Sequence, residues 1–147
     1  MFSKTLLTAL TSAMFFIAVI GAPKAAQLHL PSSLQVLTVD GQPMAYPFAE
    51  LLLDQGKHLL VLRYRDLFAD NADDSGTWVT SAPLYLRLDL QTPKPLSLQL
   101  PQIDDADAAR AYLRQPFVNT QTADGEMTRF NLQPESAVIA QLLLANH

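Results

Sequence analysis

The chain has 147 residues, 49% of them hydrophobic and 16% charged, with 14 acidic against 10 basic side chains and a net charge of −4. That length builds one domain with a substantial core and does not reach two. The acidic balance and scattered basic residues argue against a nucleic-acid surface, and the absence of cysteine excludes disulfides, thiolate chemistry and cysteine-held metals.

The first 26 residues read as a secretory signal peptide. Lys4 supplies the positive start, and Leu6 to Ile20 is an apolar run diluted only by Thr8, Thr11 and Ser12. The run is shorter than the roughly 20 residues a membrane-spanning helix needs. Cleavage is expected between Ala22 and Ala26. The chain is then expected in the periplasm as a single β-rich domain, residues 27–147, with a helical C-terminal part and no membrane contact after cleavage.

Gln27 to Asp40 is predicted as the first strand region. Pro31 interrupts it, so its first part is an edge or a separate short strand. Asp40-Gly41 is a hairpin turn signal. Gln42 to Glu50 carries Pro43 and Pro47 and is predicted irregular or extended.

Asp54-Gln55-Gly56 then leads into an alternating run. Lys57, Leu59, Val61 and Arg63 point one way, and His58, Leu60, Leu62 and Tyr64 the other. This is predicted as a central or near-central strand ending near Phe68, apolar on one face and partly covered on the second. Ala69 to Thr77 is predicted as a polar loop. Trp78 to Leu90 is another alternating run, with Pro83 marking an edge, a bulge or a break. Leu96, Leu98 and Leu100 form a short half-buried strand.

At Ile103 the pattern changes. Asp104 or Asp105 can cap a helix built from the alanine-rich segment that follows, and Pro116 stops it. Asp124-Gly125 predicts a hairpin between Phe117 and Leu132. Pro134-Glu135 starts a last helix, whose Val138, Ile139, Leu142 and Leu143 form an apolar stripe expected to cap the sheet. The fold class is therefore mainly β with added helices (α+β). It is an antiparallel immunoglobulin-like or prealbumin-like small sandwich followed by an α-helix, a β-hairpin and a C-terminal α-helix.

Chemistry is sparse. His29, His58 and His147 lack ligand spacing, and no Gly-x-Ser-x-Gly elbow or phosphate-cradling glycine loop occurs. The Asp70 to Gly76 cluster is rich in oxygen, as calcium sites are, but misses their spacing and reads as a solvated loop. Asp104, Asp105 and Asp107 read as helix capping. No cofactor or metal is expected, and the chain is not read as an enzyme. The candidate binding residues are Trp78, Tyr64, Arg63 and Arg87. Trp78 is either a core residue or an exposed anchor, and the arginines, with Arg65, could align across strands as a cationic stripe.

Several pieces in order resemble one family. They are the signal peptide, Leu28-His29-Leu30-Pro31-Ser32-Ser33-Leu34 running on to Gly41, Leu52 to Tyr64, Ser81-Ala82-Pro83, Leu98-Gln99-Leu100-Pro101 and the helix ending in Gln115-Pro116. They resemble a small exported proteobacterial family of unknown function, one member of which is described as an inhibitor of curli synthesis. The resemblance implies a periplasmic, non-enzymatic modulator of curli-type fibre assembly, whose partner is an amyloid-type fibre subunit or another envelope protein. It carries over no catalytic residue. The alternative is a structural or polysaccharide-binding envelope module, with Trp78 and Tyr64 stacking on sugars.

Overall fold

The computed structural model describes residues 25–45, 49–69 and 75–146. The expected signal peptide up to residue 24, Pro47 and the acidic loop residues 70–74 lie outside them. In chain order the elements are β1 (Ala25–His29), β2 (Leu34–Val39), β3 (Gln42–Pro43), β4 (Glu50–Asp54), β5 (Gly56–Phe68), β6 (Thr77–Thr80), β7 (Leu84–Leu90), β8 (Leu96–Gln99), α1 (Ala106–Tyr112), β9 (Phe117–Thr122), β10 (Met127–Asn131), β11 (Gln133–Pro134) and α2 (Glu135–Ala145). The described residues are mainly β with two helices. Among the described residues, no helix is long and apolar enough to cross a membrane.

The strands form two sheets. One has the order β10-β9-β8-β1-β4; the other runs β11-β7-β5-β2-β3, with β6 paired to the far end of β5. As its alternation predicts, β5 is central, flanked by β2 and β7. Leu60, Leu62 and Tyr64 are fully buried, and Leu59, Val61 and Arg63 on the other face are half-buried. Leu84, Leu86, Leu88 and Leu90 of β7 alternate inward in the same way. Both sheets contribute to one core, in which Leu28, Leu53, Leu98 and Val118 of the first meet Leu34, Leu60, Leu62 and Leu86 of the second.

Proline decides where strands change sheet. At Pro31 the chain turns, Leu34 N donating to Pro31 O at 3.0 Å, and passes from β1 in one sheet to β2 in the other. The first part is thus a separate strand, and it lies inside its sheet between β8 and β4 rather than at an edge. Pro83 breaks the run after Trp78 into β6 and β7. The pairing moves by one residue across the break, from Leu62 opposite Leu84 to Arg65 opposite Thr80. Ser81 repairs the ladder there: its hydroxyl accepts from Tyr64 N at 2.9 Å, and its own N–H donates to Tyr64 O at 2.9 Å. Asp40-Gly41 forms the expected two-residue turn, with φ of 50° and 80° and Val39 paired to Gln42.

Three expectations need correction. The strands are not all antiparallel, because β8 joins β1 in parallel; a partner that arrives after the chain has crossed the other sheet can pair in either direction. A further strand, not expected from the sequence, precedes the Asp54 turn: β4 pairs with β1 from Ala25–Asp54 to His29–Glu50 and shares only Glu50 with the segment Gln42 to Glu50, read as irregular or extended. The final helix does not cap the sheet with its whole stripe. Val138 alone is buried, while Ile139, Leu142 and Leu143 are exposed, because α2 follows β11 directly and only its start reaches the body of the fold. In α1 the cap is Asp105, whose carboxylate accepts from Ala108 N at 2.7 Å.

Candidate functional site

A cavity of about 560 Å³ is lined by Asp40, Lys57, His58, Leu59, Arg87, Leu88, Asp89 and Phe130. The β5–β7 register builds it, setting Lys57 opposite Asp89, His58 opposite Leu88 and Leu59 opposite Arg87. His58 is its fixed point. Nδ1 lies 2.7 Å from Asp40 Oδ2, and Nε2 lies 2.6 Å from the Asp54 carbonyl. Both partners are acceptors, so the geometry favours the imidazolium, in which both ring nitrogens donate. Burial alone would lower its pKa. The hydrogen bonds to Asp40 and Asp54, with the negative charge of both, outweigh burial and raise it. Asp40 is held below the usual carboxylate range, first by the Leu59 N–H, which donates to Oδ1 at 2.8 Å, and then by His58.

Chemically this node is a strut. While the ring is protonated, His58 has no lone pair to take a proton or bind a metal. It ties the turn after β2 to the turn before β5. Among the described residues, no three His, Asp or Glu side chains come together as a metal site.

The four residues singled out from sequence do not converge. Trp78 is not a core residue; it is 55% exposed on β6, with the Arg65 guanidinium 4.3 Å from its ring centroid. Leu67 sits directly opposite and is also exposed, so the three make one outward patch. Tyr64 is wholly buried, so its ring cannot stack on a sugar. Its phenol is pushed up to about 12 by burial and then by Asp66. Arg63 pairs with Gln35 of β2, while Arg87 stands opposite Leu59, four residues earlier on β5. That spacing is about 13 Å, too far for a compact cationic stripe. Of the four, only Arg87 lines the large cavity.

The sheet edges differ in kind. The second sheet ends in two-residue strands that each carry a proline, Pro43 in β3 and Pro134 in β11. Short strands and proline blunt an edge. Pro31 and Pro83 do not do this work; they stand between strands. The first sheet ends in the five-residue strands β4 and β10, neither containing proline. Charge guards β10: Arg129 at its centre lies 3.5 Å over the Phe117 ring. In β4 the central residue is Leu52, 74% exposed, between buried Leu51 and Leu53. Sequence reasoning missed β4 because three consecutive leucines hide an alternation that only the flanking Glu50 and Asp54 betray. It missed Asp40 as a site residue because Asp40-Gly41 was accounted for as a turn.

The profile of a family described as "Uncharacterized protein conserved in bacteria (DUF2057)" matches residues 27–142. A UPF0319 protein of Shewanella baltica (strain OS223) is 29% identical over 123 residues, covering 78% of this chain and 54% of that protein. A UPF0319 protein of Shewanella oneidensis is 27% identical over 123 residues, with the same coverage. The chain therefore spans about half the length of the curated relatives it matches. No solved structure gives a significant match.

Proposed function

We propose a binding role for this chain, which belongs to the DUF2057 family of uncharacterized bacterial proteins. It is a non-enzymatic periplasmic protein that takes an extended polypeptide along the outer edge of β4. The client is a subunit of a curli-type fibre, whose growth the pairing restrains. The observation that carries this reading is the contrast of edges: among the described strands, β4 combines five residues, no proline and an exposed apolar centre, whereas β10 is centred on Arg129 and β6 has four residues. Unpaired strand edges present a row of N–H and C=O groups to any extended chain, and amyloid growth adds strands through such groups. The curli assignment rests on the family resemblance. The two-sheet body reads as a small sandwich of the immunoglobulin-like or prealbumin-like kind, a rigid frame for such an edge.

Export is part of the reading. Ala25 and Ala26 pair with Asp54 and Leu53, and Ala26 is buried. Removal of residues up to Ala22 leaves β1 whole, whereas removal up to Ala26 strips two rungs from its ladder. Cleavage after Ala22 is the expected processing.

The test is fibre growth of a purified curli-type subunit with equimolar purified protein. The wild type lengthens the lag. Leu52→Lys, an exposed change that places a charge at the centre of the edge, restores the lag toward that of the subunit alone, whereas Met127→Lys on β10 leaves inhibition intact. Equal inhibition by Leu52→Lys, or none by the wild type, rejects the reading. The second reading, a polysaccharide-binding module, is supported by exposed Trp78. Retention of the protein on isolated cell wall, lost in Trp78→Ala, would favour it. Arg65 over the indole already occupies one face of the ring that a sugar would use.

A further inference from the structure

The hydrogen-bond phase of β4 fixes what its free edge offers. In an antiparallel pair, residues directly opposite alternate between pairs that exchange both backbone bonds and pairs that exchange neither. The β1–β4 register sets Leu28 opposite Leu51 and Ala26 opposite Leu53, and just beyond it Leu30 N donates to Ala49 O at 2.8 Å. Counting in twos from that bond, Leu51 and Leu53 direct their backbone groups at β1. The N–H and C=O of Glu50 and Leu52, with the N–H of Asp54, therefore point the other way, to the side where the sheet order ends. The Asp54 carbonyl differs, since His58 Nε2 meets it at 2.6 Å.

Side chains follow the same alternation. Leu51 and Leu53 are buried in the core, while Glu50, Leu52 and Asp54 are exposed on the opposite face. The residues with open backbone groups thus present, in order, an acid, a leucine and an acid. Glu50 and Asp54 stand about 13 Å apart along the strand, with Leu52 midway. Glu50 Oε1 accepts from the Gln27 amide and lies 3.2 Å from His29 Nδ1, which leaves Oε2 without a partner among the described residues. The Asp54 carboxylate makes no ion pair among the described residues. A second copy of the chain is a poor occupant of this edge. Antiparallel pairing about Leu52 would set Glu50 against Asp54 twice, and parallel pairing in register would set each acid against itself. Like charges directly opposite destabilise a sheet.

We propose that the β4 edge selects an extended client segment with basic residues at positions i and i+4 around an apolar residue at i+2. The inference rests on the edge-pairing reading above and names the kind of segment that the edge takes. Backbone bonds to Glu50 and Leu52 hold the segment. Its apolar residue lies beside Leu52, and its basic residues lie beside Glu50 and Asp54. Directly opposite residues stand about 5 Å apart on one face, within reach of a lysine or arginine side chain. The pattern is symmetric and so fits either strand direction. A neutral segment would gain the backbone bonds without the charge pairs, and an acidic one would meet the repulsion that bars a second copy. Because the charge pairs are exposed, added salt weakens the selection.

The experiment is an amide chemical-shift titration of the purified protein with three capped peptides. One is Thr-Lys-Thr-Val-Thr-Lys-Thr; in the others both lysines are replaced by glutamine or by glutamate. Saturable shifts are expected at residues 50–54. The lysine peptide should bind about fivefold tighter than the glutamine peptide, the scale of two cross-strand charge pairs, and the glutamate peptide should bind most weakly. In Glu50→Gln/Asp54→Asn, where both changes are exposed and keep the side-chain shape, the three peptides should bind alike. Equal binding of the three at residues 50–54 of the wild type overturns the charge selection and leaves the edge reading standing. Shifts at residues 50–54 from none of them overturn both. The proposal also fails if the double variant keeps the preference for lysine, or if the lysine peptide shifts only residues outside β4 and its neighbour β1.

Discussion

His58 shows how one side chain can join two turns. It donates to Asp40 beyond β2 and to the Asp54 carbonyl before β5, and Asp40 in turn accepts from Leu59 N. The pH dependence has a definite sign. His58 is raised above its ordinary 6.5, so its contribution is complete below that value and is lost as pH climbs through the folded pKa. Asp40 is lowered below its ordinary 3.8, so its contribution is complete above that value and is lost as pH falls through the folded pKa. Stability should therefore peak between about pH 4 and 6.5. Thermal melts from pH 6 to 8.5 should show the wild type losing stability while His58→Gln stays flat. At pH 6 the variant should be about 1.5–3 kcal/mol less stable, the scale of hydrogen bonds to charged groups. A wild-type melting curve indifferent to pH over that range would remove the imidazolium from the account. A second residue-scale test concerns Gly76. Its φ is +79°, and an added Cβ would sit 2.9 Å from the Phe68 carbonyl oxygen. Gly76→Ala should cost about 1–3 kcal/mol in denaturant unfolding, and a neutral result would mean that the start of β6 can shift freely. None of this was legible beforehand: Asp40-Gly41 announced its turn, but nothing in the spacing of Asp40 and His58 announced their contact.

Elements were legible where a strict period met a turn residue. The parity of β5 and β7 was open to reading because apolar and polar residues alternate over many positions, and burial follows that alternation. The helix start at Asp105 and the hairpin around Gly125 were marked by residues with one strong local use. Where local pattern had to stand in for tertiary placement, it failed. Trp78 begins a strand, which suggests the core, but the strand lies at the far end of β5 and the indole faces outward under Arg65. The Ile139, Leu142 and Leu143 stripe of α2 is real as periodicity and still exposed, because burial needs a surface opposite it. Edges are the least legible feature of all. Whether a strand ends a sheet depends on which strand arrives beside it, and the role of β4 emerges only once β1 is seen between it and β8.

At the scale of the molecule, two sheets share one core, and the chain crosses between them where Pro31 forbids a continuous ladder. The α+β class follows from pattern, whereas the parallel pairing of β1 with β8 joins residues far apart in sequence and leaves no local trace. Because β1 begins at Ala25, intact-mass analysis of protein recovered from the periplasm should give an N-terminus at Pro23. A chain starting at Gln27 would lack two paired residues and contradict the processing proposed here. The central claim is that β4 is the edge on which a client strand settles. Amide hydrogen exchange of the purified protein, with and without an equimolar curli-type subunit, tests it most directly. The account predicts slowed exchange at residues 50–54 with residues 127–131 unchanged; unaltered exchange along β4, or protection confined to the Trp78 patch, would contradict it.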